Sequence, residues 1–299
     1  MSEAVSGEFY EVVDLHDREF QKFSLQHQIY CVPVDDEEGD RLESQHDILR
    51  YLFDGRLFFP PISYPTKVLE CGYGRGNWAL EMAQTYTQSE VTAIDLYPAE
   101  LPDDQPDNLE CEAWDLNQTL TPTYAPNYYD LVHSRFVGPG IKKDRWRGYL
   151  RDMARLLKRG GWVQMTEFYY IIQSDSGMLT DEHALTQWSN GYRYTMESDT
   201  DPRAGRNLGQ MMRNAGLVDV QEIAYRLPIG GWSTDPKMQY VGQQNLRNIG
   251  TMLDSLAIWP FTERMGWTKE QVAALSEKAR EEAADPRLKL YIPMLVLQF

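Results

Sequence analysis

Cysteine is scarce in this 299-residue chain, with three residues at positions 31, 71 and 111. The number is odd and the spacing wide, so neither a disulfide framework nor a zinc-type pair is encoded. The pattern reads as free thiols in a reducing compartment, the cytosol or the nucleus. Histidine numbers five, and no His/Asp/Glu cluster with ligand spacing accompanies it, so no metal is expected. No apolar run approaches the ~20 residues of a membrane helix, and no membrane association is expected. The N-terminal MSEAVSGEFYEVVD is acidic rather than basic-then-apolar, which argues against a secretion signal. Basic residues are also in deficit: 29 Lys and Arg face 45 Asp and Glu, for a formal net charge of −16. A surface of that sign repels a phosphate backbone, so nucleic acid is not an expected partner. The one dense basic stretch, IKKDRWRGYLRDMARLLKRGG, interleaves apolar residues at helical spacing and reads as an amphipathic surface helix.

What remains is an ordinary globular composition, 42% hydrophobic and 25% charged, with enough length for one large core. Residues 1–40 are polar and end in DDEEGD, which predicts a solvated acidic arm. Residues 41–299 are expected to form a single domain. It opens with a helix over 41–58, where Leu42, Ile48, Leu49, Leu52 and Phe53 fall at helical spacing before the double proline at 60–61. From Thr66 the rhythm becomes strand (TKVLEC), glycine-rich loop, helix (WALEMAQTY), strand (EVTAID) and strand (NLECEAW). Then follow a strand (YYDLVHSRF), a helix over 142–158 and a fifth strand (WVQMTEFYY). The helix PRAGRNLGQMMRNAGL leads into a sixth strand, VDVQEIAYRL, and RLKLYIPMLVLQF supplies the last. Such alternation predicts a doubly wound α/β fold with a mostly parallel seven-stranded sheet and an antiparallel last strand. Segments at about 171–202 and 235–285 interrupt the rhythm and are expected to cap the mouth of the sheet, where ligands sit.

The loop after the first strand reads Glu70-Cys71-Gly72-Tyr73-Gly74-Arg75-Gly76. It lacks the Gly-Lys-Ser/Thr ending of a P-loop, and its third glycine arrives one residue too early for the dinucleotide fingerprint. The spacing fits E/D-x-G-x-G-x-G, the first motif of class I S-adenosylmethionine (SAM) methyltransferases. Here the glycines let the backbone approach the ligand, and Glu70 is placed to receive its ammonium. Asp95 ends the second strand about twenty residues on, where a carboxylate can take ribose hydroxyls. Asp115 closes the third, where a side chain can meet an exocyclic amine. Each residue alone could be a cap or a turn. Together, in order, at successive strand ends, they favour SAM.

From about Asp35 to Phe168 the chain resembles the fungal LaeA-like (TAM-domain) methyltransferases. The resemblance runs through DDEEGDRLESQHDILRYLFDGRLFFPPI, LECGYGRGNWALEMA, EVTAIDLYP, YYDLVHSRFVGPGIKKDRW and LLKRGGWVQMTEF. It implies a class I methyltransferase fold that binds SAM and releases S-adenosylhomocysteine, in natural-product biosynthesis or its regulation. By that resemblance Glu70, Gly72, Gly74 and Gly76 belong to the methionine-side loop. Asp95 and Leu96 belong to the ribose contact, and Asp115 and Leu116 to the adenine pocket. His133 and Arg135 match the fourth-strand HxRF stretch, while Tyr30, Gln45 and His46 match a segment lying over the cofactor. Glu70 stands where aspartate is usual, and Tyr73 and Arg75 replace small or hydroxyl residues.

Methyl transfer is an in-line displacement that needs a dry, positioned acceptor, and a base only where that acceptor carries a proton. His133, read as lying just past the fourth strand, is the candidate base; His46 and His183 are weaker candidates. The aromatics Phe136, Phe168, Tyr169, Trp188, Tyr192, Tyr194 and Trp232 suggest a hydrophobic, planar small-molecule acceptor, methylated on O or N. Two other readings stay open. One is a regulatory or scaffolding subunit, with the 235–285 helices offering a surface to a second copy or another protein. The other is a SAM-binding enzyme that uses the sulfonium electrostatically for a non-methylating, pericyclase-type reaction.

Overall fold

A computed structural model describes residues 7–98 and 105–299. The chain opens with a hairpin, β1 (Val12–Leu15) and β2 (Arg18–Gln21), and two helices, α1 (Lys22–His27) and α2 (Asp36–Leu52). Then come β3 (Lys67–Cys71), α3 (Asn77–Thr85), β4 (Glu90–Asp95), β5 (Leu109–Ala113) and β6 (Tyr129–Arg135). They are followed by α4 (Trp146–Leu156), β7 (Leu157–Phe168), the two-residue β8 (Gln173–Ser174), α5 (Ala184–Met196) and α6 (Ala204–Asn214). The chain closes with β9 (Gln221–Pro228), α7 (Pro236–Met265), α8 (Lys269–Ala283) and β10 (Leu290–Gln298).

The sheet has the order β5-β4-β3-β6-β7-β10, with β9 and the short β8 also pairing β10. Pairs from β5 through β7 are parallel, and β10 runs antiparallel to β7, β8 and β9. The predicted doubly wound sheet with an antiparallel last strand is therefore what forms. Parallel strands need both faces covered, and the strand sequences are accordingly apolar on both. On β3, Val68 packs with α3 while Leu69 and Cys71 pack with α4 and α6. A separate core joins α2, α5, α7 and α8 to the β9–β10 end of the sheet.

Five expectations change. Within its described part, from Gly7 on, the acidic arm is folded: Phe20, Ile29 and Val32 are buried, and DDEEGD is the start of a helix. Asp35 caps α2 by accepting the Glu38 N–H at 3.1 Å, and Arg18 clamps the same carboxylate at 2.6 and 2.8 Å. Acids in a first turn also suit the helix dipole, so the charge run is helix-starting rather than solvating. That helix spans 36–52 rather than 41–58. The helix expected over 142–158 is confined to Trp146–Leu156, because β7 begins at Leu157. The stretch expected as one helical region over 235–284 is two helices. Gly266 adopts a left-handed φ of 69° and ends α7, and Thr268 starts α8 with a capping box to Gln271. Finally, the 171–202 segment carries both β8 and α5. Among the described residues no helix is long and apolar enough to cross a membrane, and no group of three or more His, Cys, Asp or Glu could hold a metal ion.

Candidate active site

The main cavity opens at the carboxyl ends of β3, β4 and β6, with an empty volume of about 1380 Å³ that includes open solvent at its mouth. Its floor is the glycine loop. Gly72 has a φ of 81°, and a Cβ there would collide with Val137 Cγ1, so only glycine lets the loop pass beneath the β6 turn. Of the two bulky loop residues, Tyr73 turns inward and is buried with Leu57, Trp78 and Val68 while still lining the cavity. Arg75 lies across α2 on Gly39, where any Cβ would strike its guanidinium, and it reaches Asp36 at 3.4 Å. Loop and helix are thus seated on each other.

Asp95 ends β4 with both oxygens engaged by backbone: Oδ2 accepts Gly74 N–H at 2.9 Å and Oδ1 accepts Tyr97 N–H at 3.0 Å. Each oxygen keeps a lone pair for a further donor, and burial raises its pKa. Asp115 sits two residues beyond β5 rather than closing it. Its Oδ1 accepts Asn117 N–H at 2.8 Å and Asn117 Nδ2–H at 2.9 Å. Leu96, Leu116 and Asn117 line the same end.

Arg135, the last residue of β6, supplies the positive charge. It donates at 3.4 Å to His46 Nδ1, and His46 Nε2–H donates to Glu81 at 2.9 Å. Burial lowers the Arg135 pKa, and burial with the Arg135 charge lowers that of His46. His46 is therefore a neutral link holding Arg135 from below, not a residue of the cavity wall. Glu70 also lies one layer down. It is fully buried, its pKa is pushed up to about 8 by desolvation, and its Oε2 has no partner among the described residues. Gly76 starts α3 with a left-handed φ of 76° and does not reach the wall.

His133 is corrected most sharply. It lies within β6, in register with Glu70, on the same strand face as Arg135 but two residues deeper, where it meets α3 below the cavity. Its ring stacks on Trp78 at 3.8 Å with a 10° tilt, and burial drives its pKa well below the ordinary value. It packs rather than receiving a substrate proton.

The far end of the cavity is aromatic. Phe136 has a φ of 56°, a left-handed conformation that is costly for a bulky residue. It stacks on Phe168 at 4.3 Å. Tyr30 reaches in from the N-terminal segment and packs on Gly140, while Tyr170, Met252 and Leu256 complete the wall. The other aromatics expected here are placed elsewhere. Trp188 is core, its Nε1–H donating to Leu253 O at 2.8 Å. Trp232 donates to Leu290 O at 2.7 Å, Arg206 covers Tyr169 at 5.9 Å, and Tyr194 is 71% exposed. Tyr192 lies behind the wall. His183 starts α5 with its Nδ1 accepting Thr180 N–H at 3.0 Å.

A buried network absent from the sequence reading forms the remaining side. Arg41 donates to both Glu38 oxygens at 2.9 and 2.7 Å, to Gln45 at 2.9 Å and to Asn248 on α7 at 3.0 Å. Gln45 is thus a wall residue, as expected, but one held by Arg41. Both charges are helical neighbours on α2, so an i,i+3 scan of 36–52 could have paired them.

A glycine loop, two acidic strand ends and a buried arginine, converging at the mouth of this sheet, are the arrangement of a class I SAM-dependent methyltransferase. The chain belongs to the methyltransferase domain family, whose profile matches residues 44–222, and within it to the LaeA-like branch expected from the motifs. It is 27% identical over 259 residues to the methyltransferase pytC of Aspergillus terreus, covering 85% of this chain and 78% of that one. It is 28% identical over 223 residues to the N-methyltransferase sirN of Leptosphaeria maculans, covering 74% and 77%. It is 26% identical to the secondary metabolism regulator LAE1 of Cochliobolus heterostrophus over 275 residues, covering 88% and 87%.

Proposed function

We propose that the main cavity holds SAM along the Gly72–Gly74 loop and presents it to a hydrophobic, aromatic small molecule of fungal secondary metabolism, which is methylated on nitrogen or oxygen. The observation that carries this reading is the donor set. Arg135 has no carboxylate ion-pair partner among the described residues and lines the cavity, so it suits the cofactor's carboxylate. The spare lone pairs of Asp95 suit ribose hydroxyls. Asp115, steadied by Asn117, suits the adenine amine, and Leu116 packs against the base. Glu70, one layer below with its Oε2 unpartnered among the described residues, leaves an acceptor oxygen under the amino group. When bound, SAM supplies an electrophilic methyl on a sulfonium. The rings of Tyr30, Phe136, Phe168 and Tyr170 exclude water around that position and favour positive charge.

The wall brings no histidine, and two of its carboxylates, Asp35 and Glu38, are already bound to Arg18 and Arg41. An acceptor atom with its own lone pair near neutral pH, such as an aromatic amine or a ring nitrogen, fits such a wall better than an alkyl ammonium or a phenol, which need deprotonation. Likeness to the N-methyltransferase sirN supports the nitrogen arm. Likeness to LAE1 over most of both chains supports a second reading, a regulatory subunit. It predicts a stable protein complex with weak turnover. Calorimetry with S-adenosylhomocysteine tests the shared premise. We expect clear binding, weakened about tenfold or more in Arg135→Met, as loss of a charged hydrogen bond implies. Equal affinity in wild type and variant would refute the assignment.

A further inference from the structure

Behind Phe168 and Pro139 the main cavity adjoins a smaller one, a narrow pocket whose empty volume of about 260 Å³ includes open solvent. Pro139, Phe168 and Tyr170 line both. The smaller cavity has two carboxylates on its wall, Glu167 and Asp201, and no lysine, arginine or histidine. Three rings enclose it: Tyr170 lies 6.0 Å from Phe168 and 5.5 Å from Tyr192 between centroids.

Glu167 is only 1% exposed. Its Oε1 accepts Val137 N–H at 2.9 Å and Gly138 N–H at 3.1 Å, holding the turn after β6. Its Oε2 has no partner among the described residues. Loop-holding accounts for one oxygen and leaves the other unexplained, and a buried polar atom without a partner costs about 1–3 kcal/mol. The titratable groups facing this carboxyl are Tyr30 from the N-terminal segment, Tyr149 from α4, Tyr170 after β7, Tyr192 from α5 and Asp201 before α6. None is a cation. Two guanidiniums act on the rings of this cluster, and both are committed elsewhere: Arg41 to Glu38 and Arg264 to Asp199. Burial accordingly pushes the Glu167 pKa up to about 8.

A carboxylate lacking a cation, walled by aromatic faces, is the chemistry that recognises an ammonium group. We propose that this pocket is an ammonium subsite: the acceptor is an aromatic molecule bearing a cationic amine, with its ammonium against Glu167 Oε2 and its ring system in the main cavity. The inference rests on the methyl-transfer reading for the role of that main cavity. Binding the ammonium ionises Glu167, and the displaced proton goes to solvent.

The test titrates protein saturated with S-adenosylhomocysteine with two matched pairs, phenethylamine against 2-phenylethanol and tryptamine against tryptophol. Each amine should bind about tenfold or more tighter than its alcohol. Glu167→Gln, which keeps an oxygen for the turn, should abolish that preference and leave S-adenosylhomocysteine affinity unchanged. Independently of any variant, wild-type calorimetry at pH 7 in buffers of different ionisation heat should show release of about one proton per amine bound. Equal affinity for amine and alcohol, a preference that survives Glu167→Gln, or no proton release would overturn the subsite. Failure of S-adenosylhomocysteine to bind would count against the methyl-transfer reading instead.

Discussion

Replacing Arg41 by methionine removes one half of a buried ion pair while keeping most of the side-chain volume. Arg41 and Glu38 are 7% and 2% exposed, so Glu38 would be left charged with neither water nor a partner. Breaking such a pair from one side costs about 3–5 kcal/mol. At about 2–4 °C per kcal/mol, the melting temperature should fall by about 6–20 °C. The stranded carboxylate would be buried without a counter-charge, which favours its neutral form in the folded variant. The folded variant then binds more protons than its unfolded state, so its stability falls as pH rises, and its deficit against wild type should shrink toward pH 4–5. The double variant Glu38→Leu/Arg41→Met removes both charges and should recover most of the loss. Urea denaturation of the three proteins at pH 5 and pH 8 reads all three effects. A deficit below about 1 kcal/mol that does not change with pH would show that the pair does not hold α2 to α7 as described.

Gly72→Ala combines a left-handed backbone with a Cβ pressed against Val137. It should cost about 2–4 kcal/mol in denaturant and abolish S-adenosylhomocysteine binding, and retained affinity would contradict the cradle geometry. Glu70 and Glu167 both have pKa values raised to about 8 by burial. Their stabilising contribution is complete below the unfolded carboxyl pKa and lost as pH rises through 8, so the ligand-free protein should be less stable at pH 9 than at pH 6. Glu70→Gln should make that slope shallower. His133→Gln should lower stability by removing the stack on Trp78, yet leave the pH profile of methyl transfer unmoved; a vanished acid limb would restore His133 as a base.

The parts of the fold that could be read from the chain are those whose signal is local. Apolar runs of strand length alternating with amphipathic helices define the sheet order, and three glycines after TKVLEC locate its mouth. Asp95, Asp115 and Arg135 reach that mouth because each stands at or just beyond a parallel strand's end. Burial side was less legible. His133 shares its strand face with Arg135 but stands two residues short of the rim, and so stacks beneath the cavity on α3. Trp188 and Tyr192 look like pocket aromatics until their i,i+4 spacing is laid on α5, whose inner face packs against α7. The N-terminal wall was hidden for a different reason. Phe20, Ile29 and Val32 are isolated apolar residues in a polar segment, and only long-range packing onto the helical core reveals their use. Arg41's partnership with Asn248 likewise joins residues distant in sequence, which no window over either helix could pair.

Gly39 and Arg75 occupy one volume between them. A side chain on α2 at position 39 is admissible only if position 75 gives up its guanidinium, and a smaller residue at 75 would leave an empty slot over Gly39. The two sites should therefore vary as a unit among related chains: small with large, or the reverse. A swap of sizes, such as Gly39→Ser with Arg75→Ser, would be accommodated in place, where Gly39→Ser alone would swing the part-exposed Arg75 side chain off α2. Substrate specificity in this branch can change at the aromatic end while that coupled pair keeps the cofactor end in place.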